Sequence, residues 1–196
     1  MTTGTITIGS TTDQDRATAV ITMAFSDDPI VRWVFPQAHQ YLTYWPRFVS
    51  DFGGRAFENG TAHHAEPFCG VALWLPPGVG PDEGAMGAVL EESIPNSSQG
   101  EIFAFLEKMG PFHPAEPHWY LPLMGVDPRK HGQGYGSALM QYALTTCDRQ
   151  SVVAYLEATS PRNKALYERH GFEETGMIQV GSSPPMWPMV RKPQRT

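Results

Sequence analysis

The alternation of apolar and polar positions is clearest in the second half of the chain. "HWYLPLMGV", residues 118–126, predicts a strand, and "SVVAYLEAT" is apolar on both faces, as buried strands are. Pro122 cannot donate to a strand ladder, so we expect a bulge or broken pairing there. Between the two strands, an apolar stripe at helical spacing predicts a helix with Leu139, Met140, Ala143, Leu144 and Cys147 on its buried side.

The rest of the chain predicts further helices and strands. Gly4–Ile8 predicts a strand, and Thr12 or Asp13 begins a helix to about Phe25. "SDDPI" is expected to break that helix and to lead into an aromatic loop, "VRWVFP", and residues 40–58 look mostly helical. "TAHHA" with "CGVALWLPP", and "FEETGMIQV" with "PPMWPMVRK", predict hairpins. Residues 78–117 are rich in Gly, Pro and Ser, with weak helices near 82–92 and 99–109, and are an insertion or a lid. We therefore predict a mixed α/β fold in one domain, residues 1–196.

Composition and charge remove several classes of function. With 14 Lys+Arg against 20 Asp+Glu, the net charge is −6, and we expect no nucleic-acid partner. Two distant cysteines do not form a disulfide framework, and His63-His64 lack a third ligand, so we expect no metal. The N-terminal residues do not resemble a signal peptide, and no apolar run approaches the ~20 residues of a membrane span. The expectation is a cytoplasmic protein with no membrane partner.

Three glycines stand immediately ahead of the apolar-striped helix, in "DPRKHGQGYGSALM". A helix N-terminus exposes unpaired N–H groups, and glycine lets a phosphate approach them. A P-loop is disfavoured because no Lys-Ser/Thr pair follows Gly136. A dinucleotide fold is disfavoured because Ser137 replaces the third glycine and the loop lies late in the chain. A purely structural turn stays open.

The stretch "GVDPRKHGQGYGSALM" resembles the coenzyme A loop of the GCN5-related N-acetyltransferase (GNAT) family, with His131 where that family has Arg or Gln. "LEATSPRNKALYERHGFEETG" resembles the family's next strand, helix and terminal hairpin, including Asn163 and Tyr167 at the usual spacing. The resemblance is strongest over residues 118–192. "GVALWLPPG" and "PPMWPMVRKP" resemble the puromycin N-acetyltransferase branch in particular.

This resemblance implies a central, mostly antiparallel sheet whose fourth and fifth strands splay apart around acetyl-CoA, the implied cosubstrate. Backbone groups of Met124, Gly125 and Val126 would face the pantetheine arm, with Met124 or Gly125 donating to the oxyanion. Asn163 would meet the pantetheine amides. The residues implied to hold the pyrophosphate are His131, Gly132, Gln133, Gly134, Tyr135, Gly136 and Ser137.

The implied reaction is direct attack of a small molecule's primary amine on the acetyl thioester in a ternary complex. Tyr167 is our candidate acid, with a packing aromatic as the alternative. Glu157, inside an apolar strand, is the candidate base, with a paired structural carboxylate as the alternative.

Candidate substrate residues are Asp27 and Asp28, which would meet a cationic amine beside Trp33. They can equally end a helix and seal the core. His118 and Tyr120 share one side of their strand and also qualify. A protein or peptide amine acetyltransferase, or an acyl-CoA sensor without turnover, are alternative functions, and a homodimer is possible.

Overall fold

A computed structural model describes residues 6–194 of the chain. The strands are β1 (Ile8–Ser10), β2 (Ala62–Ala65), β3 (Gly70–Leu75), β4 (His118–Val126), β5 (Val153–Ala158), β6 (Glu173–Glu174) and β7 (Trp187–Arg191). The helices are α1 (Gln14–Ala24), α2 (Pro29–Val34), α3 (Ala38–Gly53), α4 (Arg55–Glu58), α5 (Glu83–Ser93), α6 (Asn96–Met109), α7 (Tyr135–Gln150) and α8 (Pro161–Arg169). Short 3-10 turns occur at Gly110–Phe112 and Pro128–Lys130.

The strands form one sheet in the order β1-β2-β3-β4-β5-β7-β6. Within the described residues, the β4–β5 pair is parallel and the other neighbours are antiparallel. This confirms the predicted mixed α/β fold with a mostly antiparallel sheet. The parallel pair requires a crossover, which α7 provides on one face of the sheet.

Strand β4 changes its pairing at Pro122. It pairs with β5 only from His118 to Leu121, whereas its pairing with β3 continues to Val126. Opposite Trp74, β4 also carries one residue more than β3, which makes a bulge. Because proline has no N–H, the ladder to β5 ends where a donor is missing. The predicted splay between the fourth and fifth strands is therefore present.

The sheet separates two apolar clusters. On one face α1, α3, α5 and α6 pack over residues such as Leu73, Leu123 and Tyr155. On the other face α7 and α8 pack over Trp74, Trp119 and Leu156, and the striped side of α7, including Cys147, is buried there as predicted. The first cluster is rich in aromatic rings, and it surrounds the cavity described below.

Local signals predicted most boundaries correctly. Asp13 caps α1, Ser160 caps α8 with Pro161 next to it, and Gly171 follows the end of α8 with φ +84°. The helices of the 78–117 segment lie at Glu83–Ser93 and Asn96–Met109, close to the predicted ranges. Of the predicted first strand, residues 4 and 5 lie outside the described part and residues 6 and 7 are not in a strand. Strand β1 spans Ile8–Ser10, so the prediction was too early in the chain.

Helix α2 corrects one expectation. The sequence "SDDPIVRWVFP" was expected to form a break and an aromatic loop, but Pro29–Val34 is helical. Asp28 is its N-cap: one carboxylate oxygen accepts from the backbone N–H groups of Ile30 and Val31 at 3.0 and 3.1 Å. Pro29 occupies the first helical position, where a missing N–H costs nothing.

Candidate active site

The glycine loop begins where the splay between β4 and β5 ends. Gly132 and Gly134 have φ of +75° and +90°, a region that side chains with a Cβ adopt only with strain. Gly134 is the N-cap of α7 and supplies no side-chain cap, so the first N–H groups of this 16-residue helix remain open. A Cβ on Gly132 would meet nothing within 4 Å. The loop is therefore an exposed cradle of backbone donors, as pyrophosphate binding requires.

Neighbouring side chains hold this loop in place. His131 Nε2 donates to the Val126 carbonyl at 3.0 Å. The Gln133 side-chain amide donates to the Arg129 carbonyl at 3.3 Å. Ser137, in the first turn of α7, pairs with His170 Nε2 at 3.1 Å. Tyr135 is the first residue of α7, and its ring packs on the second apolar cluster.

The exposed edge of β4 lies beside the loop. Over residues 122–126, Met124 and Val126 included, β4 has no pairing with β5 in the described structure. Gly125 has a packing reason to be glycine, since a Cβ there would lie 2.6 Å from Ala24 Cβ of α1. In the gap between the two strands, the backbone groups of β4 are not paired with β5 and are available to a ligand. The gap opens toward the glycine loop.

Tyr167 lies on α8, on the face of the sheet that α7 covers. The residue is 6% exposed, and its ring packs 6.1 Å from that of Phe172. Burial raises the pKa of the Tyr167 phenol, and the Asp28 and Glu157 carboxylates raise it further, so it stays protonated at neutral pH. Its hydroxyl has no hydrogen-bond partner among the described side chains and backbone groups, which leaves the proton free for another acceptor.

Glu157 lies on the opposite face, on β5 beside the gap. Its side chain is 5% exposed, and Oε2 accepts from the Tyr120 hydroxyl at 3.0 Å. Burial raises the pKa of Tyr120 well above its ordinary value, so that phenol remains a donor. Oε1 is buried and has no hydrogen-bond partner among the described residues. A buried carboxylate oxygen without a donor is costly unless it serves a purpose.

His113, which the sequence analysis did not single out, faces that oxygen. Its Nε2 lies 3.5 Å from Glu157 Oε1, and its Nδ1 lies 3.2 Å from His118 Nε2. The His113 ring also packs on Tyr155 and Tyr120, with centroid distances of 4.3 and 4.8 Å. No local pattern marks this residue, because it follows a 3-10 turn in the Gly/Pro-rich segment, far from Glu157 in the sequence.

A cavity of about 910 Å³ leads to Glu157. Aromatic and aliphatic side chains form most of its wall: Phe25 at the end of α1, Trp45 and Phe52 of α3, and Met86, Phe103 and Leu106 of the 78–117 segment. In the described part of the chain, its charged lining residues are Glu83, Glu107, Glu116 and Glu157, with neither Lys nor Arg. The cavity therefore suits a molecule with an apolar body and a positive charge.

Three of the candidate substrate residues do not line this cavity. Asp27 is exposed, and Trp33 packs on Phe105 while donating through Nε1 to Ser182 at 3.1 Å. Asp28 is buried at the start of α2, and burial raises its pKa. His118 and Tyr120 do line the cavity, as expected from their shared side of β4.

Asp28 instead belongs to a chain of polar contacts at the end of β5. Its Oδ2 accepts from the Thr159 hydroxyl, whose oxygen accepts in turn from Asn163 Nδ2 at 3.4 Å. The three side chains join α2, β5 and α8. Asn163 is thereby held at the gap by its amide nitrogen, which leaves its carbonyl oxygen for a further donor.

Comparison with known proteins, like the geometry of the loop and the gap, indicates an acetyltransferase. Residues 89–174, which run from α5 to β6, match the acetyltransferase (GNAT) domain model. The fold is that of a GNAT acetyltransferase. The domain match and the fold together support an acyltransferase enzyme, and acetyl-CoA is the cosubstrate that GNAT enzymes use.

The relatives are distant but cover the chain. An uncharacterized N-acetyltransferase of Schizosaccharomyces pombe is 23% identical over 93% of this chain and 81% of its own length. A Corynebacterium glutamicum structure named as histone acetyltransferase HPA2 and related acetyltransferase has a TM-score of 0.68 at 24% identity, covering 98% of this chain and 99% of its own. Arylalkylamine N-acetyltransferase 2 from Aedes aegypti has a TM-score of 0.66 at 14% identity, covering 97% and 100%.

Two further observations concern the described residues, 6–194. No helix there is long and apolar enough to cross a membrane. Within the same residues, no group of three or more His, Cys, Asp or Glu side chains is arranged to hold a metal ion.

Proposed function

We propose that this GNAT-type chain transfers the acetyl group of acetyl-CoA to the primary amine of a small molecule with an aromatic or long aliphatic body. The single observation that carries the proposal is the cavity. Its walls are mostly apolar, its charged side chains in the described structure are carboxylates, and it ends at Glu157 beside the β4–β5 gap. Burying an apolar side chain there stabilises binding by roughly 1.5–3 kcal/mol. The acidic lining favours the ammonium form of the amine on its way in.

The gap and the glycine loop fit coenzyme A by chemistry. The uncapped backbone N–H groups at the start of α7 can donate to the pyrophosphate. Residues 124–126 of β4, which do not pair with β5, can form backbone hydrogen bonds with the pantetheine amides. The Asn163 carbonyl oxygen is a further acceptor for an amide N–H. When bound, acetyl-CoA supplies the thioester carbonyl that the amine attacks.

Two side chains flank the gap from opposite faces of the sheet and have complementary proton states. Tyr167, protonated and without a hydrogen-bond partner in residues 6–194, holds a proton at its hydroxyl for the departing sulfur. Glu157 takes the proton that the ammonium must lose before it becomes a nucleophile. Tyr120 holds Glu157 through Oε2, which fixes the carboxylate in the cavity wall.

The segment 78–117 favours a small acceptor over a protein. Residues from Gly78 to Pro117 form much of the wall, which supports an acceptor compact enough to fit inside the cavity. Relatives named for histones and for arylalkylamines share the fold, so the fold itself does not decide the acceptor. The likeness to the puromycin branch stays a prediction.

The test is an acetyl-CoA-dependent thiol-release assay on matched amines. We expect phenethylamine, tryptamine and hexylamine to be acetylated with higher kcat/KM than putrescine or a lysine peptide. Phe103→Gln should raise KM for phenethylamine by about tenfold, since it replaces apolar wall by amide. Leu42→Gln, at a side chain 63% exposed, is the matched control. Preference for the lysine peptide, or no turnover of any amine, would contradict the proposal.

A further inference from the structure

The polar side chains around Glu157 form a chain with a fixed hydrogen-bond direction. His118 Nδ1 lies 2.9 Å from the Glu116 backbone carbonyl, which can only accept, so Nδ1 carries the hydrogen. In neutral His118 the other nitrogen, Nε2, is then an acceptor. Because it lies 3.2 Å from His113 Nδ1, that nitrogen must be the donor of the pair. One backbone carbonyl thus sets the tautomer of both imidazoles.

The chain ends in a mismatch at Glu157. Neutral His113 in this tautomer presents the lone pair of Nε2 to Glu157 Oε1, 3.5 Å away. Two acceptors face each other there, and within residues 6–194 Oε1 receives no well-formed hydrogen bond, although the buried Tyr155 hydroxyl also lies near this carboxylate. The other carboxylate oxygen is already engaged by the Tyr120 hydroxyl. The site therefore has a place for one further proton, between Glu157 Oε1 and His113 Nε2.

We infer that His113 receives, through Glu157, the proton that the substrate amine loses, and that His118 is the residue that positions it. The inference rests on the proposed function and adds a group to it. The proton leaves the ammonium nitrogen, passes to a carboxylate oxygen of Glu157 and then to His113 Nε2. The resulting imidazolium keeps Nδ1–H on His118 and faces the restored carboxylate, with which it forms an ion pair.

The route has an exit to solvent. The His113 side chain is 29% exposed, against 5% for Glu157, so water reaches the imidazolium more readily than the carboxylate. Release of that proton to water returns the neutral tautomer without any ring rotation. Over one cycle the ammonium loses two protons. One reaches solvent by this route, and the other, lost from the attacking nitrogen as the sulfur departs, replaces the proton that Tyr167 gives to the sulfur. Glu157, His113 and Tyr167 therefore return to their initial states.

Two substitutions isolate this role. His113→Asn keeps an N–H near the position of Nδ1 and removes the atom that faces Glu157. We expect it to lower kcat/KM for phenethylamine by about 10²-fold and to move the acid limb of its pH profile, with KM for acetyl-CoA unchanged. The titratable groups facing His113 are Glu157, His118, Tyr120 and Tyr155, and all remain in the variant.

His118 tests positioning. His118→Leu should lose activity to a similar extent, whereas His118→Gln should recover most of it, because its Oε1 offers His113 the same acceptor. His39→Asn, an exposed histidine on α3, is the control for loss of an imidazole as such. If His113→Asn keeps the wild-type rate and pH profile, the relay is wrong.

A measurement without turnover completes the test. Nitrogen-15 NMR of the histidine rings in wild-type protein should show His118 as the Nδ1–H tautomer, with His113 either the Nδ1–H tautomer or the imidazolium. A neutral His113 protonated on Nε2 would overturn the inference. Absence of acetylation by the wild-type protein would instead refute the proposed function, so the two failures are distinguishable.

Discussion

Tyr167→Phe is the substitution that best separates chemistry from packing. The ring of Tyr167 is buried against Phe172, but its hydroxyl makes no hydrogen bond to the described protein. Removing that oxygen therefore leaves no partner unsatisfied, and we expect the free energy of unfolding to change by about 0.5 kcal/mol or less. Loss of the proton donor should reduce kcat by about 10²-fold, which is roughly 2.7 kcal/mol of transition-state stabilisation.

The assay pairs thiol release at saturating acetyl-CoA and phenethylamine with urea unfolding of the same preparations. Tyr167→Ala serves as the reference for packing, because losing a buried ring should cost roughly 3–5 kcal/mol of stability. An unchanged kcat in Tyr167→Phe would assign the residue to the core alone. A large loss of stability in Tyr167→Phe would show that its hydroxyl has a partner.

Two further predictions concern stability. Buried Arg191 donates to the partly buried Asp148 carboxylate in two bonds of 2.7 and 2.8 Å, so Asp148→Asn should cost about 1.5–3 kcal/mol in urea unfolding by removing the negative charge that these bonds use. The hydrogen bond from Arg191 lowers the pKa of Asp148 in the folded state. The stability that this pair contributes is therefore fully present above the unfolded pKa of about 3.9 and is lost as the pH falls through the lower folded pKa. The Asn variant should lack that acid dependence. Gly125→Ala should destabilise by about 1–3 kcal/mol, because its Cβ would lie 2.6 Å from Ala24 Cβ, whereas Gly80→Ala, with open space around it, should not.

Short-range signals predict most of this fold because they act over a few residues. The alternation in residues 118–126 gave β4 its full length, and Pro122 marks where the ladder to β5 ends. Helix α2 was missed because a proline after two aspartates was interpreted as a break. The same residues are a helix start, with Asp28 as cap and Pro29 in the first turn.

The candidate active site is only partly predictable from the sequence, because some of its contacts join segments that are far apart in the chain. Glycine spacing and the helix after it predict the loop, since its function depends on the backbone. The contact between His113 and Glu157 joins two segments separated by β4, α7 and most of β5, and neither segment carries a pattern that specifies the other. Asp28 is the opposite case. Its charge made it a candidate for binding the substrate amine, but its carboxylate caps α2 instead.

The central claim is that the glycine loop and the β4–β5 gap bind acetyl-CoA. Thermal unfolding with acetyl-CoA, NAD and ATP side by side tests it most directly. A ligand present at 100 times its Kd stabilises the folded state by about 2.7 kcal/mol. We expect a concentration-dependent rise in Tm with acetyl-CoA and none with NAD or ATP. A rise with NAD or ATP instead, or none with acetyl-CoA, would contradict the account.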